Sequence, residues 1–189
     1  MVLADFLPAS DHTQVHSIRV QADPHRCFSA VKDLTLSELS PLVHLWLAIR
    51  AVPWRLRGRA GRAPLVATEP MLEQILSRGL IQLAEADDRE IGWGTVGRFW
   101  QLAGGSCPGI DRPPAFVAFN QPGSAKAVMN CSVDASSDGG TRVSTETRIQ
   151  MTDAVARSKF AMYWRVVHPG SALIRQLWLM AVERRAEYG

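Results

Sequence analysis

The sequence predicts a single α+β domain in which a curved antiparallel sheet wraps around a long C-terminal helical segment. Two observations support this class. The strand candidates in the middle of the chain follow one another with only short turns between them, and strands joined in this way pair antiparallel. The helical candidates are grouped before and after that run of strands, which favours α+β over an alternating α/β fold.

Length and composition are those of one folded domain. The chain has 189 residues, of which 47% are hydrophobic and 21% charged, and its net charge is +3. Such a composition argues against disorder and suits a single core. We expect residues 1–13 to form a flexible leader and residues 14–189 to form one domain.

Nothing in the sequence predicts a membrane span or a disulfide framework. The most apolar stretch, residues 42–54, is too short to cross a bilayer and contains His44 and Arg50. The N-terminal residues lack the pattern of a signal peptide. The cysteines are odd in number and widely spaced (Cys27, Cys107 and Cys131). We therefore expect a cytoplasmic protein.

The first third of the chain reads as one strand followed by helices. Residues 15–22 alternate between two faces, as a half-buried strand does. Asp23 and Pro24 then start a helix, because Asp caps free N–H groups and Pro fits the first helical position. A second helix is predicted over residues 37–51. A third covers residues 68–78, with Thr68 or Glu69 as its cap.

The middle of the chain is predicted to form two hairpins with a short strand between them. The ranges that alternate or carry strand-forming residues are 80–86, 91–100, 115–120, 125–135 and 141–151. From Asp153 onward the pattern is helical. Asp153 caps this helix, Pro169 kinks or breaks it by removing an N–H group, and a continuation reaches about Glu187.

This order resembles the START-like helix-grip superfamily, which includes polyketide cyclase/dehydrase-like and lipid-transfer proteins. The resemblance lies in the strand that enters a helix through Asp23-Pro24, in the segment 28–34, in the strands at 92–100 and 144–149, and in the helix after Asp153. It covers most of the chain from residue 14, mainly as topology. It implies an apolar pocket between the curved sheet and the last helix, and it brings no catalytic signature.

The motifs that suggest other chemistry have simpler explanations. Residues 92–97 match G-x-G-x-x-G, but no helix can follow them before Gly104, so a dinucleotide site is not expected. Residues 104–109 lack the last glycine of a nucleophile elbow. No pair of the five histidines has the spacing of a helical or finger-type metal site. We expect no cofactor and no metal.

The candidate ligand-binding residues are aromatic side chains on the sheet and on the last helix, together with one arginine: Trp93, Phe99, Trp100, Tyr163, Trp164 and Arg98. Strand parity would place Trp93 and Phe99 on one face and Arg98 and Trp100 on the other. The rings either fill a core or line the pocket. Tyr163 is the best single candidate for the pocket, because its hydroxyl can orient a ligand while its ring packs.

Parity also divides the polar residues of the last hairpin. Val143, Thr145, Thr147, Ile149 and Met151 share a face that reads as the inner one. Glu146 and Arg148 then form an outer, solvated pair, and Asn130 also points outward.

The leading hypothesis is a protein that binds or carries a small hydrophobic molecule, such as a lipid or a polyketide-like compound, in an internal cavity. One alternative is a cyclase or dehydratase in which Tyr163 or Arg98 protonates or polarises a carbonyl. Another is a surface module that makes transient contact with an anionic membrane through the Arg-rich loop, residues 50–62. Nucleic acid is not the expected partner. The sequence leaves the oligomeric state open, with a homodimer as one option.

Overall fold

The computed structural model describes residues 3–45, 48, 65–77, 79–101, 110–137 and 139–189. In these ranges five strands form one antiparallel sheet with the order β1-β5-β4-β3-β2. The strands are β1 (His12–Val20), β2 (Ile81–Ala86), β3 (Glu90–Gly97), β4 (Ala125–Ala135) and β5 (Thr141–Met151). The helices are α1 (Leu3–Phe6), α2 (Pro24–Asp33), α3 (Met71–Leu76), α4 (Pro113–Ala118) and α5 (Ala154–Tyr188), with a 3-10 turn at Leu36–Glu38.

Helices cover both faces of the sheet. The inner face packs against α2 and α5, which contribute Phe28, Val31, Phe160 and Val182 to its core. The outer face is covered by α1 and α4, whose Leu3 and Phe116 pack on Val96 and Val128. The predicted α+β class, with an antiparallel sheet and a long C-terminal helix, is therefore confirmed.

The predicted strands agree with the structure where the local signal is strong. The hairpin 125–135 and 141–151 is confirmed at its predicted bounds. The first hairpin is also confirmed, and Asp87 and Asp88 form its turn with φ angles of 48° and 51°. However, β3 ends at Gly97, so residues 98–100 lie beyond the sheet. The first strand occupies His12–Val20 rather than 15–22.

Three of the predicted elements differ from the structure at or near a proline. Residues 115–120 do not form a strand: Pro113 and Pro114 occupy the first turn of α4, where proline is well tolerated. In α3, Pro70 occupies the N-cap position and no side chain caps the helix, so neither Thr68 nor Glu69 has the predicted role. The last helix continues through Pro169 as one element of 35 residues. A bend at Pro169 stays a prediction.

The N-terminal residues lie against the outer face. Leu3 and Leu7 are buried there, and the Asp11 carboxylate accepts hydrogen bonds from Met151 N and Arg157 Nε, each at 2.8 Å. The predicted flexible leader thus contains α1 and the first residues of β1. The predicted helix over 37–51 is described in part: residues 41–45 are helical, while most of the rest lies outside the described residues. No helix in these ranges has the length and apolar character needed to cross a membrane.

Aspartate caps begin both helices that pack on the inner face. Asp23 Oδ1 accepts from Arg26 N at 3.0 Å, and Asp153 Oδ1 accepts from Ala156 N at 2.7 Å. The bond from Ala156 N lowers the pKa of Asp153, and a second bond from Gly123 N adds to the effect. The ionised carboxylate therefore stabilises the start of α5.

We expect the Asp153→Ala variant to unfold at a lower temperature than the wild type at pH 7. Because the folded pKa of Asp153 lies below its unfolded value of 3.8, the contribution of its charge is present well above that value and is lost as the pH falls through the folded pKa. Thermal unfolding of both proteins between pH 7 and pH 3 measures the difference, which should narrow on acidification. A difference that is constant over this range would exclude the charge of Asp153 as its source.

Candidate functional site

The strand register arranges the inner face in rows that run across the sheet. One row consists of Gln14, Thr147, Met129 and Trp93, and the next consists of His16, Thr145, Cys131 and Ile91. We call these the central rows. Each is polar at its β1 and β5 end and apolar at its β4 and β3 end. The inner face therefore changes from hydrogen-bonding groups to apolar groups along every central row.

The helix α5 crosses the inner face, and its packing changes along its length. Near its start, Ala156 and Phe160 are buried against Ala127 and Ile149. Near its end, residues 179, 181, 182 and 186 are buried in the larger core with α2. Between these ends, residues 161–178 all keep part of their surface exposed. The two cores on the inner face are thus separate. The polar ends of the central rows belong to neither core, whereas Trp93, Cys131 and Ile91 at their other ends are part of the larger core.

Helical spacing determines which residues of this middle segment share the face that continues from Phe160. They are Trp164, His168, Ser171 and Arg175, at steps of three and four residues. Contacts with the sheet confirm the placement: Trp164 lies 5.8 Å from the His12 ring, and His168 Nε2 lies 3.4 Å from Gln14 Nε2. Opposite the central rows, α5 therefore carries His168, Ser171 and Arg175 where apolar side chains would normally pack on the sheet.

Arg175 links α5 to β5 through two threonines. Its Nη1 donates to Thr145 Oγ1 and its Nη2 to Thr147 Oγ1, both at 2.7 Å. No carboxylate in the described ranges forms an ion pair with it. Although the residue keeps some accessible surface, burial of the charged group lowers the pKa of Arg175 to about 10. The site therefore holds a desolvated cation bonded only to neutral oxygens.

His16 lies beside this cation in the second central row, opposite Thr145. Its Nε2 is the one buried side-chain nitrogen or oxygen without a hydrogen-bond partner among the residues the structure describes. Burial lowers the pKa of His16, and the positive charges of Arg175 and His168 lower it further. The neutral ring thus presents an unsatisfied polar atom to the site.

The predicted aromatic residues are only partly brought together. Phe99, Trp100, Tyr163 and Trp164 all pack on the core around Phe160, whose ring is 5.4 Å from that of Trp164 and 5.7 Å from that of Tyr163. Phe160 was not singled out from the sequence, although it stands four residues before Trp164 on the same helical face. We call Phe160 and these four residues the aromatic cluster.

Trp93 and Arg98 lie apart from the aromatic cluster. Trp93 is buried in the larger core and stands next to Met129 in its central row. Arg98 is exposed and follows the end of β3, where strand parity no longer applies. With Trp100, it lines a cleft of about 150 Å³ beside the first turns of α5. This volume is below the roughly 300–1,000 Å³ usual for ligand pockets.

The predicted outer pair is formed but is not solvated. Arg148 Nε donates to Glu146 Oε1 at 2.6 Å, and Arg148 Nη1 donates to Leu7 O at 3.4 Å. The two side chains are only 18% and 9% exposed. Asn130 also lies on this face and is buried, with its Nδ2 bonded to Glu90 Oε1. The sequence could not show that the chain at Leu7, just after α1, contacts Arg148 on this face.

A second cleft, of about 380 Å³, lies between α2 and the end of α5. Its lining includes charged side chains, and two of them, Glu38 and Arg185, form an ion pair at 2.8 Å. It lies away from the central rows. In the described ranges, no three histidine, cysteine or acidic side chains come together as a metal site would require. The Arg-rich loop and Cys107 lie outside the described residues.

No protein-family model matches the sequence, and no curated protein matches it. Three solved structures are similar to the fold. The hypothetical protein jhp0584 from Helicobacter pylori has 10% identity and a TM-score of 0.43, over 97% of this chain and 93% of that one. Ara h 8.0201 has 9% identity and a TM-score of 0.40, over 94% and 99% of the two chains. TTHA0849 from Thermus thermophilus has 12% identity and a TM-score of 0.35, over 93% and 97%. These values carry no argument about family or function.

Proposed function

We propose that the protein binds a small, largely apolar molecule between the middle of α5 and the central rows of the sheet. The observation that carries this proposal is the interrupted packing of α5. Its residues up to Trp164 pack on the core around Phe160 and those from Ile174 pack on the larger core, whereas none of residues 165–173 belongs to either core. An amphipathic helix normally buries one stripe along its whole length. Where the stripe is interrupted above a sheet, a ligand can supply the missing contacts.

The groups around this region suit an apolar ligand with one polar end. Met129 and Trp93 provide apolar surface at one end of a central row, and Tyr163 and Trp164 provide rings from the helix. Removing apolar ligand surface from water contributes about 25 cal/mol per Å², from which the entropy cost of association is subtracted. A few polar groups then fix the orientation of the ligand. We therefore retain Trp93, Tyr163 and Trp164 as ligand contacts.

The remaining predicted residues have less direct roles in this proposal. Phe99 and Trp100 pack at the start of α5 and support Phe160, which places Trp164. Arg98 is exposed outside the region between sheet and helix. The cyclase or dehydratase alternative, in which Tyr163 or Arg98 would protonate or polarise a carbonyl, stays a prediction.

Binding can be tested with a neutral apolar fluorophore, N-phenyl-1-naphthylamine. We expect the wild type to give a saturable rise in its emission. The Met129→Trp variant fills the central row from the sheet side, so it should weaken binding by at least about tenfold, which corresponds to 1.4 kcal/mol. The matched control is Met162→Trp, because Met162 lies on the same helix as Trp164 but is 75% exposed. This control should bind as the wild type does.

Two results would contradict the proposal. The first is that the wild type gives no saturable rise in emission with this fluorophore and that decanol does not change its unfolding temperature. The second is equal binding by the wild type and Met129→Trp. The thermal stability of Met129→Trp should also be compared with that of the wild type. A large loss of stability would show that the region is already filled, because overpacking a tight core costs about 1–3 kcal/mol.

A further inference from the structure

The guanidinium of Arg175 has more hydrogen-bonding capacity than its observed partners use. Arginine carries five N–H donors in a planar fork. Thr145 Oγ1 and Thr147 Oγ1 take one donor each. In the described ranges, the other three have no acceptor. The threonines fix the plane of the guanidinium and leave part of the fork available to another group.

The surroundings of Arg175 are cationic or neutral. The charges of Arg175 and His168 both act on His16, and Cys131 on β4 is the titratable group that acts on Arg175. Burial raises the pKa of the Cys131 thiol, so the thiol is uncharged and gives no counter-charge. A carboxylate supplied by a ligand would meet a region of positive potential without a competing acid from the described residues.

His16 provides a second polar atom with no partner. Its Nε2 is buried and unsatisfied, and an unpaired buried polar group costs free energy. The side chain follows Gln14 on the inner face of β1 and lies in the same row as Thr145. A ligand oxygen that contacts Arg175 at this row would also lie close to His16 Nε2 and could form the hydrogen bond that this atom lacks.

A purely structural role for Arg175 is a poor explanation of this arrangement. A buried charge without a counter-charge costs more than an apolar side chain of similar size, because the lost hydration is not repaid. Two hydrogen bonds to neutral hydroxyl groups would hold α5 on β5, but a methionine and two valines would fill the same space at lower cost. The arrangement is therefore best explained by a bound anion.

We infer that the apolar ligand carries a carboxylate and that Arg175 and His16 bind it, with Thr145 and Thr147 holding the guanidinium in place. This inference rests on the proposed function. A carboxylate is favoured over a phosphate because its planar oxygen pair matches the edge of one guanidinium. A phosphate has more charge and more acceptors than one arginine and a neutral histidine satisfy. The ligand class is thus an amphipathic carboxylic acid whose apolar part extends toward Met129 and Trp93.

The test compares decanoate, decanol and decyl phosphate as competitors of bound N-phenyl-1-naphthylamine at pH 7. Decanoate and decanol have the same chain length, so the ratio of their affinities isolates the head group. Hydrogen bonds to charged groups contribute about 1.5–3 kcal/mol, so decanoate should bind about 10- to 100-fold more tightly than decanol.

The Arg175→Met variant should bring this ratio close to one, mainly by weakening the binding of decanoate, because the carboxylate loses a charged partner and decanol loses at most one hydrogen bond. Its unfolding temperature without ligand should equal or exceed that of the wild type, which a structural role would not allow. Thr147→Val removes one of the two acceptors that orient the guanidinium and should lower the ratio severalfold. Arg165→Met is the matched control, since Arg165 lies exposed on the same helix.

Each outcome has a distinct meaning. Equal displacement by decanoate and decanol in the wild type would overturn the carboxylate inference and leave the proposed function intact. Displacement by neither would overturn both. Preference for decyl phosphate over decanoate by more than about tenfold would overturn the assignment to a carboxylate. If Arg175→Met failed to fold, an unchanged ratio in Thr147→Val would show that Arg175 has a structural role and would overturn the inference.

Discussion

The Phe160→Ala variant is expected to lose about 3–5 kcal/mol of its free energy of unfolding, the usual cost of replacing a buried Phe by Ala. Phe160 is 1% exposed. Its ring lies within 6.3 Å of the rings of Trp100, Tyr163, Trp164 and His12, so its loss removes the centre of the aromatic cluster. Urea denaturation followed by tryptophan fluorescence measures the change.

The control for Phe160 is Met162→Ala, two residues along the same helix. Met162 is on the solvent side, and exposed substitutions usually change stability by no more than about 0.5 kcal/mol. A loss below about 1 kcal/mol in Phe160→Ala would show that the cluster is loosely packed, because well-packed core positions do not relax so completely. That result would also weaken the case for Trp164 as a fixed ligand contact.

The Arg148→Ala variant is expected to lose about 3 kcal/mol, because it leaves the Glu146 carboxylate buried without its counter-charge. The Glu146 side chain is only 9% exposed, so water cannot fully replace the guanidinium. The variant also removes the bond from Arg148 to Leu7 O, which helps to hold α1 on the outer face. Chemical denaturation measures the loss, and proteolysis near residue 7 should become faster.

The comparison that isolates burial is Arg112→Ala. Arg112 also pairs with an acid, Asp111, but at 3.6 Å and with the two side chains 81% and 74% exposed. Exposed pairs contribute about 0–1 kcal/mol, so this variant should match the wild type closely. Joint replacement of Glu146 by Leu and Arg148 by Met should cost less than Arg148→Ala alone, since no charge stays buried. Similar losses in all three variants would contradict this account.

The sheet could be predicted from the sequence because each strand and turn is indicated by a pattern among neighbouring residues. Alternation over 141–151 separated the inner residues from the outer ones, and Ser136 to Gly140 marked the turn. The predicted strand at 115–120 is wrong. A short apolar run fits a strand or a buried helix equally well, and here Pro113 and Pro114 begin a helix. The helix α5 continues through Pro169 because both of its ends pack on the sheet. Such packing is a tertiary effect that local helix propensity cannot predict.

The candidate site was harder to predict because its residues are distant in sequence. Arg175 stands 30 and 28 residues from the two threonines it contacts, and the sequence alone gave no reason to single it out. The spacing of Trp164, His168, Ser171 and Arg175 was a usable signal, since a polar stripe on the buried face of a long helix is unusual. Alternation places His16 on the same side of the first strand as Ile18 and Val20, but only the register places it opposite Thr145.

The pairing of the first strand with the last has a consequence for how the chain folds. β1 bonds to β5 along its whole length, from His12 opposite Ile149 to Val20 opposite Thr141. Among the described strands β1 is synthesised before the others, yet β5, with which it pairs, is synthesised after all of them. Because closing a long loop must precede this pairing, we expect β4 and β5 to form their hairpin early and β1 to join late. Until then β1 has an unpaired edge on which nascent chains can associate.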